Sequence, residues 1–159
     1  MSGLLMEQVH LVKGLDPVAD AFAGTVYSDV VDLSEYQRCM FVIYAGVGVT
    51  GTSTVTVSAC DDIAATNETA VKFFYRQYAV GASDVEGAVT EAATTGFLTT
   101  AGTGRLVCVE VNADQLAATG YRYVRAKFVE VENSPVLGGV LVVLGEPKYR
   151  PRIAASAID

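Results

Sequence analysis

Apolar and polar residues alternate with a period of two through most of this chain, which is the signature of half-buried strands. Between Ser53 and Cys60 the pattern is clean: Val55, Val57 and Ala59 share one face, and Thr54, Thr56 and Ser58 share the other. The stretch 105–111, with Leu106, Val107, Cys108 and Val109 between Arg105 and Val111, is predicted as another strand. The stretch 38–45, by contrast, is apolar almost throughout and stops at Gly46, as expected of a central strand covered on both faces. Further strands are predicted over 72–80, around Phe97 and Leu98, over 121–131 and over 139–144. A single helical turn is predicted over 114–120, opened by Asp114 as N-cap and closed by Gly120. Asp16-Pro17 suits the start of another short turn.

Seven or more short strands with no long helix predict an all-β antiparallel sandwich of jelly-roll type, with an immunoglobulin-like Greek key as the nearest competitor. Residues 1–28 read as an N-terminal arm or edge segment, 29–145 as the sandwich and 146–159 as an extended C-terminal arm. At 159 residues the chain can bury a core without staples. It is 51% hydrophobic and only 18% charged. A small sandwich must keep its outer faces wet, so this balance predicts apolar surface buried against partners, that is, an oligomer.

The net charge is −7, and without Lys148, Arg150 and Arg152 the rest carries −10. An acidic body argues against nucleic-acid binding, which needs a basic face. No apolar stretch reaches the length of a membrane span, and no secretory signal is evident, so cytoplasmic synthesis is expected. Cys39, Cys60 and Cys108 show no C-x-x-C spacing, and His10 is the sole histidine. The common zinc patterns and a Cys–His nucleophile are therefore not expected. The cysteines read as small core hydrophobes, with an intermolecular disulfide in an assembly as the minority reading.

Other candidate chemistry yields to plainer readings. Gly46-x-Gly48-x-x-Gly51 has the letters of a dinucleotide fingerprint, but a strand follows it rather than a helix, so a hairpin loop is expected. Asp61, Asp62, Asn67 and Glu68 gather oxygen ligands without calcium-loop spacing, and a solvated loop is the favoured reading. Asn67-Glu68-Thr69 is a glycosylation sequon that carries no weight without a secretory signal. Asp84, Glu86 and Glu91 lack the aromatic platforms that accompany glycosidase carboxylates. No catalytic residue, metal site or cofactor is expected. Tyr121, Tyr123, Arg125 and Lys127 fall on one strand face, opposite Val124, Ala126 and Phe128. That face reads equally as solvated sheet or as a protein contact, since Tyr and Arg are enriched in hot spots.

Four segments carry a resemblance. They are Val31-Asp32-Leu33-Ser34-Glu35-Tyr36, the strand from Thr52 to Asp62, Gly120-Tyr121-Arg122-Tyr123-Val124-Arg125, and Leu144-Gly145-Glu146-Pro147-Lys148-Tyr149-Arg150-Pro151. Together they resemble the capsid decoration, or cement, proteins of tailed bacteriophages. The resemblance implies a virion structural protein on the capsid exterior, favouring a homotrimer, with the major capsid protein as partner. It implies no enzyme activity and no cofactor. Lys148, Tyr149, Arg150 and Arg152 would then be capsid contacts. A carbohydrate- or receptor-binding jelly roll, or a component of the head–tail junction or tail, is the alternative.

Overall fold

The computed structural model describes residues 4–149 and 156–158. Twelve strands and two short helices form two antiparallel sheets around one core. In the first sheet the order is β1 (Val9–Val18), β12 (Gly138–Pro147), β4 (Tyr36–Ala45), β10 (Arg105–Asn112), β7 (Phe73–Gln77) and β8 (Thr90–Ala92). In the second it is β2 (Thr25–Tyr27), β11 (Tyr123–Glu132), β5 (Thr52–Cys60) and β6 (Glu68–Val71). The short β3 (Val31–Asp32) also pairs with β11, and β9 (Phe97–Leu98) pairs with β5.

The core follows the alternation in the sequence. Val55, Val57 and Ala59 of β5 and Val124, Ala126 and Phe128 of β11 point inward from the second sheet. They meet Cys39, Phe41 and Ile43 of β4, Val107, Val109 and Val111 of β10, and Val142 and Leu144 of β12. Phe73 from one sheet and Phe97 from the other pack with ring centroids 6.0 Å apart, and Phe97 also stacks on Tyr75 at 3.8 Å. These contacts close the sandwich near β7 and β9. Phe22 does the same at the opposite side by packing on Phe128 at 5.1 Å.

Several local expectations are corrected. The glycine-rich segment 46–51 is no hairpin, because β4 and β5 lie in different sheets. It is a crossover, held where Gly46 N donates to Leu137 O and Leu137 N donates to Val47 O. Gly51 is required there by close approach, since an added Cβ would collide with the Ser134 carbonyl. The predicted strand 72–80 is the shorter β7 (Phe73–Gln77), and it follows an unpredicted strand, β6, in the other sheet, the chain changing sheet at Lys72. Asp16-Pro17 opens no helical turn but belongs to β1, an edge strand with register shifts on both sides of Leu15. Proline is tolerated there because an irregular edge strand can spare its ladder N–H. The predicted helical turn is α2 (Ala113–Ala117), and its N-cap is Asn112 rather than Asp114. Gln115 Oε1 accepts the Asn112 backbone N–H at 2.8 Å, and Gly120 follows at φ +75°.

Over its described part the N-terminal segment takes the edge alternative of its arm-or-edge reading, and the described parts of the C-terminal segment are held against the sandwich. β1 completes the edge of the first sheet beside β12, preceded by α1 (Leu5–Gln8). Lys148 N donates to Glu35 O at 2.8 Å, and Asp32 N donates to the carbonyl of Ala157, itself buried in the core.

Candidate protein-contact surfaces

The two sheets present outer faces of opposite character. On the second sheet the outward half of β11 carries Tyr123, Arg125 and Lys127, and β2 sets Tyr27 directly opposite Lys127. Arg125 Nε and Nη2 both donate to Glu68 Oε2, at 3.0 and 2.8 Å, and its guanidinium covers the Tyr27 ring at 4.1 Å. The Lys127 ammonium approaches the same ring at 5.7 Å. Arg122 donates to the Tyr123 hydroxyl at 2.7 Å and lies 3.5 Å from Asp32. Three of the four residues singled out on this strand thus share a face. Tyr121 does not, because it precedes β11 and packs partly buried against the core. The face is polar and internally braced: Arg125 is held between a carboxylate and an aromatic ring, a contact worth about 0.5–1 kcal/mol for the cation–π part where exposed.

The outer face of the first sheet is apolar over β12 and β4, with Lys13, Glu110 and Arg76 standing in the same rows beside it. Register aligns Leu11, Val143 and Met40 in one row, and Leu141, Val42 and Cys108 in the next. Tyr44 and Leu106 extend it in a third row, and Phe74 flanks it on β7. Leu11 is 58% exposed, Tyr44 66% and Leu141 42%, so none of the described residues covers them. The expectation of a β4 strand covered on both faces therefore fails on one side: Cys39, Phe41 and Ile43 are buried, while Met40, Val42 and Tyr44 face outward. The continuous apolar run 38–45 was the signal for this surface.

Charges around that face are paired within the chain. Arg38 bridges Glu110 at 3.0 Å and Glu146 at 2.9 Å, which raises its already high pKa, chiefly through the Glu146 hydrogen bond. The second contact braces Glu146, whose φ of +54° is strained for a side-chain-bearing residue before a proline. Arg76 pairs with Glu86 at 2.5 Å.

The remaining candidates are dispersed. Asp61 accepts from Asn67 N at 2.9 Å and Asn67 Nδ2 at 2.6 Å, and the side-chain bond leads in holding its carboxyl below the usual range. Asp62 is occupied by Thr66 N and Oγ1. Among the described residues no cluster of three or more His, Cys, Asp or Glu is placed to hold a metal ion. Glu86 and Glu91 pair with different bases, Arg76 and Lys72, and Asp84 stands exposed apart from them. His10 stacks on Tyr36 at 5.9 Å. All three cysteines are free. Burial pushes the Cys39 thiol far up and that of Cys60 to about 11, as befits core positions. Cys108 differs in lying half-buried on the outer face of the first sheet, and burial raises its thiol too.

Arg105 carries no signal in the sequence pattern, yet its side chain is buried. Its Nη1 donates to Gly51 O at 2.7 Å and Thr100 O at 3.1 Å, clipping the 46–51 crossover to the loop before β10. Burial lowers its pKa. Beside it a cavity of about 20 Å³, lined by Phe22, Ile43, Phe128 and Val136, has room for no more than a water.

Of the expected tail contacts, Tyr149 is 69% exposed, while Lys148 Nζ donates to Leu33 O at 3.1 Å. Arg150 and Arg152 lie outside the described residues. No described helix is long and apolar enough to cross a membrane.

No protein-family model and no curated protein matches the chain. Among solved structures it is similar to the SPBc2 prophage-derived protein YomS, with 11% identity and a TM-score of 0.46, over 92% of this chain and 100% of that one. A likeness of this degree carries no inference about function.

Proposed function

We propose that this protein is a non-catalytic structural component of a virion. In this reading a sandwich of jelly-roll type binds the outer capsid surface and bridges neighbouring major capsid subunits. The observation that carries a contact role is the apolar face of the first sheet, where Leu11, Tyr44 and Leu141 are exposed and Met40, Val42 and Val143 lie half-buried among them. Exposed contiguous apolar surface of this kind marks interaction sites rather than solvated walls. The sequence resemblance to capsid decoration proteins supplies the partner class. Lattice stabilisation follows from differential affinity: a footprint spanning a joint binds the assembled shell better than its separate subunits. Homo-oligomerisation, a trimer in the decoration-protein reading, would multiply such contacts.

The second sheet's braced face offers Tyr123 and Lys127 for the capsid, with Arg125 holding their register, and Tyr149 is the most exposed of the described tail anchors. Co-sedimentation with expanded heads built from the co-encoded major capsid protein tests the proposal. Saturable binding in a fixed ratio to capsid subunits, weakened in Lys127→Glu and Tyr149→Ala, is the expected result. Protein that stays in the supernatant at every concentration, with heads intact, overturns it.

A further inference from the structure

We propose that a second copy of this chain covers the outer face of the first sheet, forming a two-fold, sheet-on-sheet dimer. The pairing stands independently of any capsid partner.

Charge is the first argument. The chain carries −7, so two copies meeting through an arbitrary surface bring acid against acid. On and around this face, however, Lys13, Arg38, Lys72 and Arg76 balance Glu86, Glu91, Glu110 and Glu146, four of each sign. Seven of these eight are already ion-paired within the chain. Docking two such faces therefore meets no like-charge penalty and strands few charges.

Area and shape give the second. β1, β12 and β4 span 10 residues each, β10 spans 8, and β7 and β8 only 5 and 3, so at about 3.4 Å per residue and about 4.8 Å spacing the six present roughly 700–800 Å². A standard stable interface buries about 800 Å² per partner, so the whole face is what one dimer needs. Identical twisted sheets are complementary to each other, packing about 10 Å apart at roughly −30°. An isologous contact brings the same patch from both subunits together and closes without leaving a free copy of it. The rows Leu141–Val42–Cys108 and Val143–Met40 then form the centre of a four-layer stack. This supplies the outer cover that the apolar run 38–45 calls for.

Sedimentation velocity of the full chain over a range of concentrations tests the inference. The wild type is expected at twice its 16.7 kDa mass. Val42→Lys, whose side chain points away from the core, should weaken association roughly 30-fold or more while its circular dichroism stays that of the folded wild type. Thr56→Lys, on the outer face of the second sheet, should leave the dimer intact. Should Val42→Lys fail to fold, the wild type still decides the matter through Cys108, the cysteine on this face. Its alkylation should slow as protein concentration rises, with Cys39 and Cys60 inert throughout.

A wild type that is monomeric at the highest concentration overturns the inference. So does a dimer that survives Val42→Lys, or Cys108 alkylation independent of concentration. A closed trimer also overturns it while leaving the capsid proposal standing. Conversely, a dimer that ignores expanded heads removes the capsid proposal and keeps this one.

Discussion

Replacing Phe128 with alanine removes the side chain that joins the two sheets at the Phe22 end. Phe128 is 1% exposed, packs on Phe22 at 5.1 Å and already borders a small cavity. An aromatic side chain buries roughly 150–250 Å². At about 25 cal/mol per Å² this is about 4–6 kcal/mol, of which alanine keeps a fraction. The walls are strands of two paired sheets and cannot collapse far into the hole, so a cost near 4 kcal/mol is expected, within the range for such truncations. For a domain of this size, each kcal/mol shifts the midpoint by about 2–4 °C, giving a fall of about 8–16 °C. The outward neighbour Lys127→Ala should move it by less than about 2 °C, because surface changes stay within about 0.5 kcal/mol. Differential scanning calorimetry of both variants reads the contrast. Equal shifts, or a larger one for Lys127→Ala, would refute the inward register of β11.

Other outcomes follow from individual contacts. Gly96→Ala should destabilise by at least about 1–2 kcal/mol, since Gly96 holds φ +80° and an added Cβ collides with the Val55 carbonyl; chemical denaturation measures it, and an unchanged midpoint contradicts that geometry. The Cys60 thiol, pushed from 9.0 to about 11 by burial, keeps its proton more tightly folded than unfolded. Its stabilising effect is full below pH 9 and is lost as pH rises through 9–11, so Cys60→Ser should flatten part of the alkaline fall in a pH series of melting temperatures. Asp61 has the opposite sign: its depressed carboxyl supports the 61–67 loop above the ordinary carboxylate range and releases it as pH falls, an effect Asp61→Asn should remove from amide exchange at Asn67. Ala157→Asp places a carboxylate in the core beside the Asp32 contact and should cost several kcal/mol, whereas a freely extended tail would tolerate it.

The strands with strict alternation were legible because one face of each is buried by the other sheet, as at Val55, Val57, Val107 and Val109. Sheet membership was not. The crossovers at 46–51 and Lys72 use the same glycine and charged-residue chemistry as hairpin turns, and only long-range pairing distinguishes them. The docked tail was hidden for a similar reason: Lys148 and Ala157 are held by backbone groups of Glu35 and Asp32, more than a hundred positions away. Tyr121 was misplaced because period-two counting runs past the true start of β11 at Tyr123. The polar candidate face was found through its Tyr and Arg residues. The apolar one was visible only as an apolar run with two faces to cover, of which the described residues cover one.

Hydroxyl-radical footprinting of the native protein at rising concentration tests most directly whether the outer face of the first sheet is a contact surface. Met40, Tyr44 and Leu141 should become protected together as concentration rises, while Tyr149 stays fully reactive. Oxidation of those three side chains at a constant rate, under conditions where the protein is folded, would contradict it.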